Sequence, residues 1–105
     1  MADIQPITSL EKFKELVERN DAPFLIELYA PWCTRCKKLE SALINAAPKC
    51  DMYKINIDAE PFIDEAAFES ITSLPCVWIY KSGKKTEFSN PTVDNIIAFI
   101  DGRSH

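Results

Sequence analysis

Two cysteines, Cys33 and Cys36, stand where an apolar stretch of the chain gives way to a lysine-rich one. The apolar run, residues 24–30, predicts a buried strand, and the segment after the cysteines predicts a helix. Thiols three residues apart at a helix start lie on one face of its first turn, close enough to form a disulfide. Unpaired N–H groups, the helix dipole, Arg35 and Lys37 would stabilise a thiolate there. The spacing therefore indicates a redox-active dithiol with Cys33 as the nucleophile.

A Cys-x-x-C pair is also half of a zinc site, so metal binding is the first alternative. A closed zinc site needs four ligands, and outside the pair the chain offers only Cys50, Cys76 and the terminal His105. No metal is therefore expected. A pair that is merely packed in a helix is disfavoured because Pro31 and Trp32 precede it, where a substrate would touch.

Length, composition and charge indicate one ordinary globular domain. The chain has 105 residues, of which 47% are hydrophobic and 27% charged. Its net charge of -4 and the lack of a basic cluster argue against nucleic acid as a partner. No signal peptide or membrane-spanning run is visible, so we expect a cytosolic protein without a membrane partner. In that reducing compartment four cysteines are more typical of a catalytic or metal-binding role than of a framework of structural disulfides.

Hydrophobic periodicity predicts the element order βαβαβαββα. The first strand, residues 3–7, contains Pro6, which lacks a ladder donor and belongs at a sheet edge. The almost wholly apolar strand at residues 24–30 is expected at the centre. Further strands are predicted at residues 52–57, 76–81 and 85–89, with a hairpin at Ser82 and Gly83 before the last. This alternation implies an α/β fold whose sheet is parallel early and antiparallel in its final hairpin.

Four helices are predicted from apolar stripes and from helix-terminating residues. The first is expected to start at Thr8, which has capping-box spacing, and the second to follow the cysteines and stop at Pro48. The third is predicted at residues 61–70. Asn90 is expected to cap the last helix, with Pro91 at its first position.

Three segments resemble the thioredoxin superfamily. Residues 29–40, YAPWCTRCKKLE, resemble its active-site segment and are most similar to a protein disulfide isomerase catalytic domain. Residues 54–58, KINID, resemble the family's third strand, and residues 73–75, SLP, resemble its cis-proline loop. The resemblance implies one thioredoxin-like domain over residues 1–105, with a central mixed β-sheet flanked by helices on both faces.

The resemblance also implies roles for individual residues. Cys33 matches the attacking thiol and Cys36 the resolving thiol. Pro75, preceded by Leu74, matches the cis-proline that faces the thiols and exposes backbone for an extended substrate. Trp32 matches the aromatic residue that flanks the disulfide.

Glu27 is the odd residue of its strand, since it is the one carboxylate in an apolar run. A buried carboxyl group prefers its neutral form unless it is paired, so its pKa should be raised. A raised pKa suits a group that accepts and returns a proton. In the superfamily the matching acid lies behind the resolving cysteine, and Lys54 matches the lysine beside it. The alternative is a buried ion pair with a structural role only.

The resemblance implies a thiol–disulfide oxidoreductase that exchanges the Cys33–Cys36 dithiol with protein disulfides. Such a protein needs no bound cofactor, acts as a monomer and is re-reduced by a reductase or a small thiol. One alternative is a glutaredoxin-like reductase that uses glutathione, although Trp32 and the residues before Pro75 are less similar to that branch. The other is a thioredoxin-like binding or scaffold module whose thiols are dispensable.

Four positions depart from the family pattern. Thr34 and Arg35 replace the Gly-Pro of thioredoxins and the Gly-His of isomerases. A cation beside Cys33 stabilises the reduced dithiol, which predicts a more oxidising couple than a Gly-Pro version. Ser41 stands where many thioredoxins have a helix-kinking proline. Cys76 replaces a threonine and is either a buried packing residue or a third redox thiol.

Overall fold

A computed structural model describes residues 3–19, 22–59 and 73–102 of the chain. Within these ranges the order of elements is βαβαβββα. The strands are β1 (Ile4–Pro6), β2 (Phe24–Tyr29), β3 (Asp51–Asn56), β4 (Cys76–Lys81) and β5 (Lys84–Ser89). The helices are α1 (Leu10–Glu18), α2 (Thr34–Ala46) and α3 (Val93–Ile100). The helix predicted at residues 61–70 lies outside the described residues.

The strands form one sheet in the order β1-β3-β2-β4-β5. Strands β1, β3 and β2 are parallel, whereas β4 runs antiparallel to β2, and β5 antiparallel to β4. The predicted change from parallel to antiparallel pairing is therefore confirmed, as are the edge position of Pro6 and the central position of β2. Ser82 and Gly83 turn the final hairpin with φ values of 56° and 76°, the left-handed geometry that two-residue turns require.

Helices cover both faces of the sheet, as the fold prediction states. On one face, Phe13 and Leu16 of α1 pack into a buried cluster with Ile26 of β2. The other face is buried under α2 and α3, with a core of Leu25, Leu39, Leu43, Val77, Ile79, Ile96 and Ile100. Because successive side chains of a strand point to opposite faces, Glu27 lies on the Leu25 side, beneath α2.

Two helices begin one or two residues later than predicted. Ser9, not Thr8, caps α1, and its hydroxyl accepts the N–H of Lys12 at 3.1 Å. Thr92, not Asn90, caps α3, and Asn90 instead adopts a left-handed φ of 50°. Both predictions were wrong for the same reason, since each segment holds two adjacent or nearby residues that can cap a helix.

Helix α2 runs from the cysteines to its predicted end without interruption at Ser41. Its last turn closes at Ala47, which has a left-handed φ of 48° and donates its N–H to the carbonyl of Leu43 at 3.0 Å. Pro48 follows and cannot continue the helix. The start of α2 follows the end of β2 within a few residues, and the cysteines lie at this junction.

Candidate active site

Cys33 is the N-cap of α2, as its position in the sequence predicts. Its sulfur accepts the backbone N–H of Cys36 at 3.2 Å, which satisfies one of the donors that a helix leaves free at its start. The two residues form a disulfide with their Cα atoms 5.3 Å apart. Cys33 is 6% exposed and Cys36 only 2%, so Cys33 is the sulfur that an incoming thiol or disulfide reaches first.

A groove of about 420 Å³ opens beside the disulfide. Its lining residues come from the start of α2 and from the segment before β4: Trp32, Cys33, Thr34, Arg35, Ser73 and Leu74. Trp32 is 69% exposed, yet its indole N–H is held by Asp58 at 2.8 Å. The structure thus brings the predicted substrate-binding residues Trp32 and Leu74 to the same opening as Cys33.

The peptide bond between Leu74 and Pro75 is cis, the geometry that the resemblance implied for this loop. Both residues are buried, and Leu74 shares a core cluster with Cys33 and Cys36. The carbonyl of Pro75 accepts the N–H of Asn90 at 2.7 Å, which ties the loop to the end of β5. The loop is therefore fixed at one side of the disulfide by packing and by a backbone hydrogen bond.

Glu27 is fully buried, and within the described part of the chain neither of its carboxyl oxygens has a hydrogen-bond partner. Burial, followed by the like charge of Glu40, raises the pKa of Glu27 from 4.5 to about 8, and the charge of Lys54 opposes this rise. The predicted rise is therefore present. Lys54 is the cross-strand neighbour of Glu27 but donates its ammonium to Glu40 at 3.2 Å, so the structural ion pair considered for Glu27 is not formed.

Glu27 lines a small cavity of about 140 Å³ that also reaches the resolving cysteine. Its walls are Glu27, Tyr29, Ala30, Pro31, Cys36, Lys37, Glu40 and Lys54. A polar cavity of this size has room for water molecules that would satisfy the carboxyl group. Glu27 and Cys36 thus face one compartment through which a proton can pass.

The two residues between the thiols are both exposed. Among the described residues, Arg35 has no ion-pair partner, so its charge acts on the groove and on Cys33 through solvent. Water and salt weaken such interactions, and an exposed charge pair contributes about 0.2–1 kcal/mol. The tuning of the couple by Arg35 is therefore expected to be small.

Arg35→Ala is expected to make the reduction potential of the pair more negative by about 5–20 mV, since about 30 mV corresponds to 1.4 kcal/mol. The loss of a cation destabilises the reduced dithiol, which fixes the sign. Equilibration with a glutathione redox buffer measures the potential. Lys14→Ala, an exposed charge change on α1, is the control and should leave the potential unchanged. A rise in the potential of Arg35→Ala would contradict the role of this charge.

The two remaining cysteines are free. Cys76 is buried, and burial followed by the charge of Glu87 raises its pKa to about 12. Burial and Asp51 raise the pKa of Cys50 to about 12 as well. Because the thiolate is the reactive form, neither is a good nucleophile near neutral pH. The packing interpretation of Cys76 is favoured over a third redox thiol.

Two further features concern the described residues only. No three His, Cys, Asp or Glu side chains in these ranges are grouped closely enough to hold a metal ion. Also within these ranges, no helix is both long and apolar enough to cross a membrane.

Sequence reasoning missed two residues of the site, Glu40 and Asp58. Glu40 was not singled out in the sequence, but it stands four residues after Cys36 and so shares its helix face. That spacing could have placed it near the thiol. Asp58 follows β3 and meets Trp32 through the fold alone, and no pattern in the sequence signals this contact.

Comparison with known proteins agrees with this geometry. The Thioredoxin family model matches residues 5–102. The chain is 35% identical to a thioredoxin of Porphyra purpurea over 79 residues, which cover 71% of this chain and 72% of that protein. It is 33% identical to the chloroplastic M-type thioredoxin of Spinacia oleracea over 71% of this chain, but spans only 42% of that relative's length.

The fold is also found among solved structures. Mitochondrial thioredoxin 3 of Saccharomyces cerevisiae, in its oxidised form, superposes with a TM-score of 0.74 at 26% identity, covering 94% of each chain. These similarities favour a thioredoxin over the glutaredoxin-like alternative. With a disulfide at its Cys-x-x-C site, the protein is a thiol–disulfide oxidoreductase. Its sequence and its fold show that the chain belongs to the thioredoxin family.

Proposed function

We propose that this protein reduces disulfides of protein substrates bound in extended form along the groove, with Cys33 as attacking and Cys36 as resolving thiol. One observation carries the proposal: the disulfide caps α2 at the wall of an open groove, with Cys33 the more exposed sulfur. The chain's similarity to thioredoxins supports this proposal. For this chain we propose a reductase or a small thiol as electron source, and a monomeric state.

The first step is attack of the Cys33 thiolate on one sulfur of the substrate disulfide. A bond forms between Cys33 and that sulfur, the substrate S–S bond breaks, and the second substrate sulfur leaves as a thiolate that takes up a proton. The start of α2 supports the attacking thiolate because its free N–H groups point towards the sulfur. The product of this step is a mixed disulfide.

In the second step Cys36 gives its proton to Glu27 and attacks the sulfur of Cys33. The Cys33–Cys36 bond forms while the mixed disulfide bond between Cys33 and the substrate breaks, and the substrate sulfur leaves as a thiolate that takes up a proton. The substrate gains two electrons and the protein loses two. Because the pKa of Glu27 is about 8, near a neutral working pH, this carboxyl group can both accept a proton and return it when the disulfide is reduced again.

Cys36→Ser tests this order of events, since it removes the resolving thiol and leaves the attacking one. The variant is expected to accumulate mixed disulfides with protein substrates. They are detected as covalent adducts that a reducing agent cleaves. The adducts should persist in Cys36→Ser/Cys50→Ser and vanish in Cys33→Ser/Cys36→Ser. Adducts that depend on Cys50, or none at all, would contradict the proposal.

The cytosolic location stays a prediction from the sequence.

A further inference from the structure

Glu40 has a contact that the reaction above does not use. It lies on α2 four residues after Cys36, and its carboxyl oxygen accepts the ammonium of Lys54 at 3.2 Å. Both side chains are partly exposed, at 29% for Glu40 and 24% for Lys54. The ion pair therefore forms part of the wall of the cavity that Glu27 and Cys36 also line.

The position of Lys54 is not the one that its strand alone would favour. In the register of β2 with β3, Lys54 stands directly beside Glu27. An ion pair between these two side chains would therefore join neighbours on adjacent strands. Instead the ammonium is bound to Glu40 and lies 5.4 Å from the centre of the Tyr29 ring. Both carboxyl oxygens of Glu27 are left without a hydrogen-bond partner among the described residues. Glu40 thus takes the cation that Glu27 would otherwise bind.

The charges around Glu27 come from three elements. The titratable groups that line its cavity are Tyr29 of β2, Cys36, Lys37 and Glu40 of α2, and Lys54 of β3. Lys37 is exposed, and Lys54 is neutralised by Glu40. A buried carboxyl group keeps its proton more readily when the cation beside it is paired with another carboxylate, because that cation then offsets only part of the cost of ionisation.

We propose that Glu40 is a positioning residue: by binding Lys54 it keeps this cation off Glu27, so that Glu27 stays protonated in the oxidised protein and can return a proton to Cys36. The inference rests on the proposed function for its purpose. The contacts that support it are seen in the oxidised protein, and its test measures a titration without any catalytic turnover. Glu40 itself touches no reacting atom and acts through Lys54 and Glu27.

Glu40→Gln keeps the size of the side chain and removes its charge, so Lys54 loses its counter-ion and is drawn to Glu27. The midpoint of the Glu27 titration in the oxidised protein is then expected to fall by about one pH unit or more. Carboxyl-carbon NMR of the labelled glutamates measures it directly. Glu40→Asp retains the charge and should restore a midpoint near that of the wild type. Glu15→Gln, an exposed change on α1, is the control.

A double-mutant cycle separates positioning from a direct effect of the Glu40 charge. In a Lys54→Met background, Glu40→Gln should shift the midpoint by less than half of its effect in the wild type. An unchanged midpoint in Glu40→Gln, or an equal shift with and without Lys54, would overturn the proposal. The reaction itself is judged separately by the adducts of Cys36→Ser, so the titration result stands whether or not adducts form.

Discussion

Cys33→Ser is expected to reduce the turnover of protein disulfides by about a thousandfold or more, to the uncatalysed rate. A serine hydroxyl does not ionise near neutral pH and cannot form a mixed disulfide, so the first step is lost. Cys36 cannot replace Cys33, because Cys36 is the less exposed of the two sulfurs and does not line the groove. The measurement is the rate at which a disulfide-bonded protein is reduced by the variant in the presence of a dithiol.

The matched control is Cys50→Ser, a half-buried thiol away from the groove, which should keep the wild-type rate. Urea unfolding of the reduced wild type and of both reduced variants checks that the variants are folded. If Cys33→Ser retained the biological activity of the protein, the thiols would be dispensable. The protein would then act as a binding or scaffold module instead.

Glu27→Gln is expected to raise the free energy of unfolding by about 3 kcal/mol at pH 7. Burial raises the pKa of Glu27 from 4.5 in its ordinary state to about 8 in the folded chain. Between these values the folded protein holds a proton that the unfolded chain has released, so its stability falls as the pH rises. Each pKa unit corresponds to about 1.4 kcal/mol. Glutamine does not titrate and avoids this cost.

The pH dependence distinguishes this effect from ordinary repacking. The gain of Glu27→Gln should be near zero at about pH 4, grow through neutral pH and level off above about pH 8. Urea unfolding at several pH values measures it, and Glu15→Gln should change stability by no more than about 0.5 kcal/mol. A gain that is equal at all pH values would show that Glu27 does not titrate as described.

The same variant should be a poorer catalyst although it is more stable. Without a carboxyl group to take the proton of Cys36, the resolving step is expected to slow by about a hundredfold. Rapid mixing of the reduced protein with a substrate disulfide follows this step. A stable variant with an unchanged resolving rate would leave Glu27 a buried acid without a role in the reaction.

Much of the fold follows from the sequence because its signals are local and strong. The apolar run of β2 predicts its central place, and Pro6 predicts the edge. The caps were less certain, since Ser9 and Thr92 compete with neighbours of similar chemistry and the hydrogen bonds that decide between them form only in the folded chain. The hairpin was predictable because Ser82 and Gly83 suit left-handed geometry.

The candidate site divides in the same way. The cysteine pair and the cis peptide before Pro75 follow from residue types and from family resemblance. The ion-pair partner of Lys54 could not be predicted in this way. The register of β2 with β3 and the rotation of α2 together decide whether the ammonium of Lys54 meets Glu27 or Glu40. Contacts between elements that are distant in the chain depend on packing, which no local pattern records.

The hydrogen bond between Trp32 and Asp58 has a consequence for recognition. Ordering a free side chain at an interface costs about 0.5–1.5 kcal/mol of conformational entropy. The indole of Trp32 is exposed over 69% of its surface, but Asp58 already fixes its orientation at 2.8 Å. A partner that covers this ring therefore meets a preorganised surface and loses little affinity to its immobilisation.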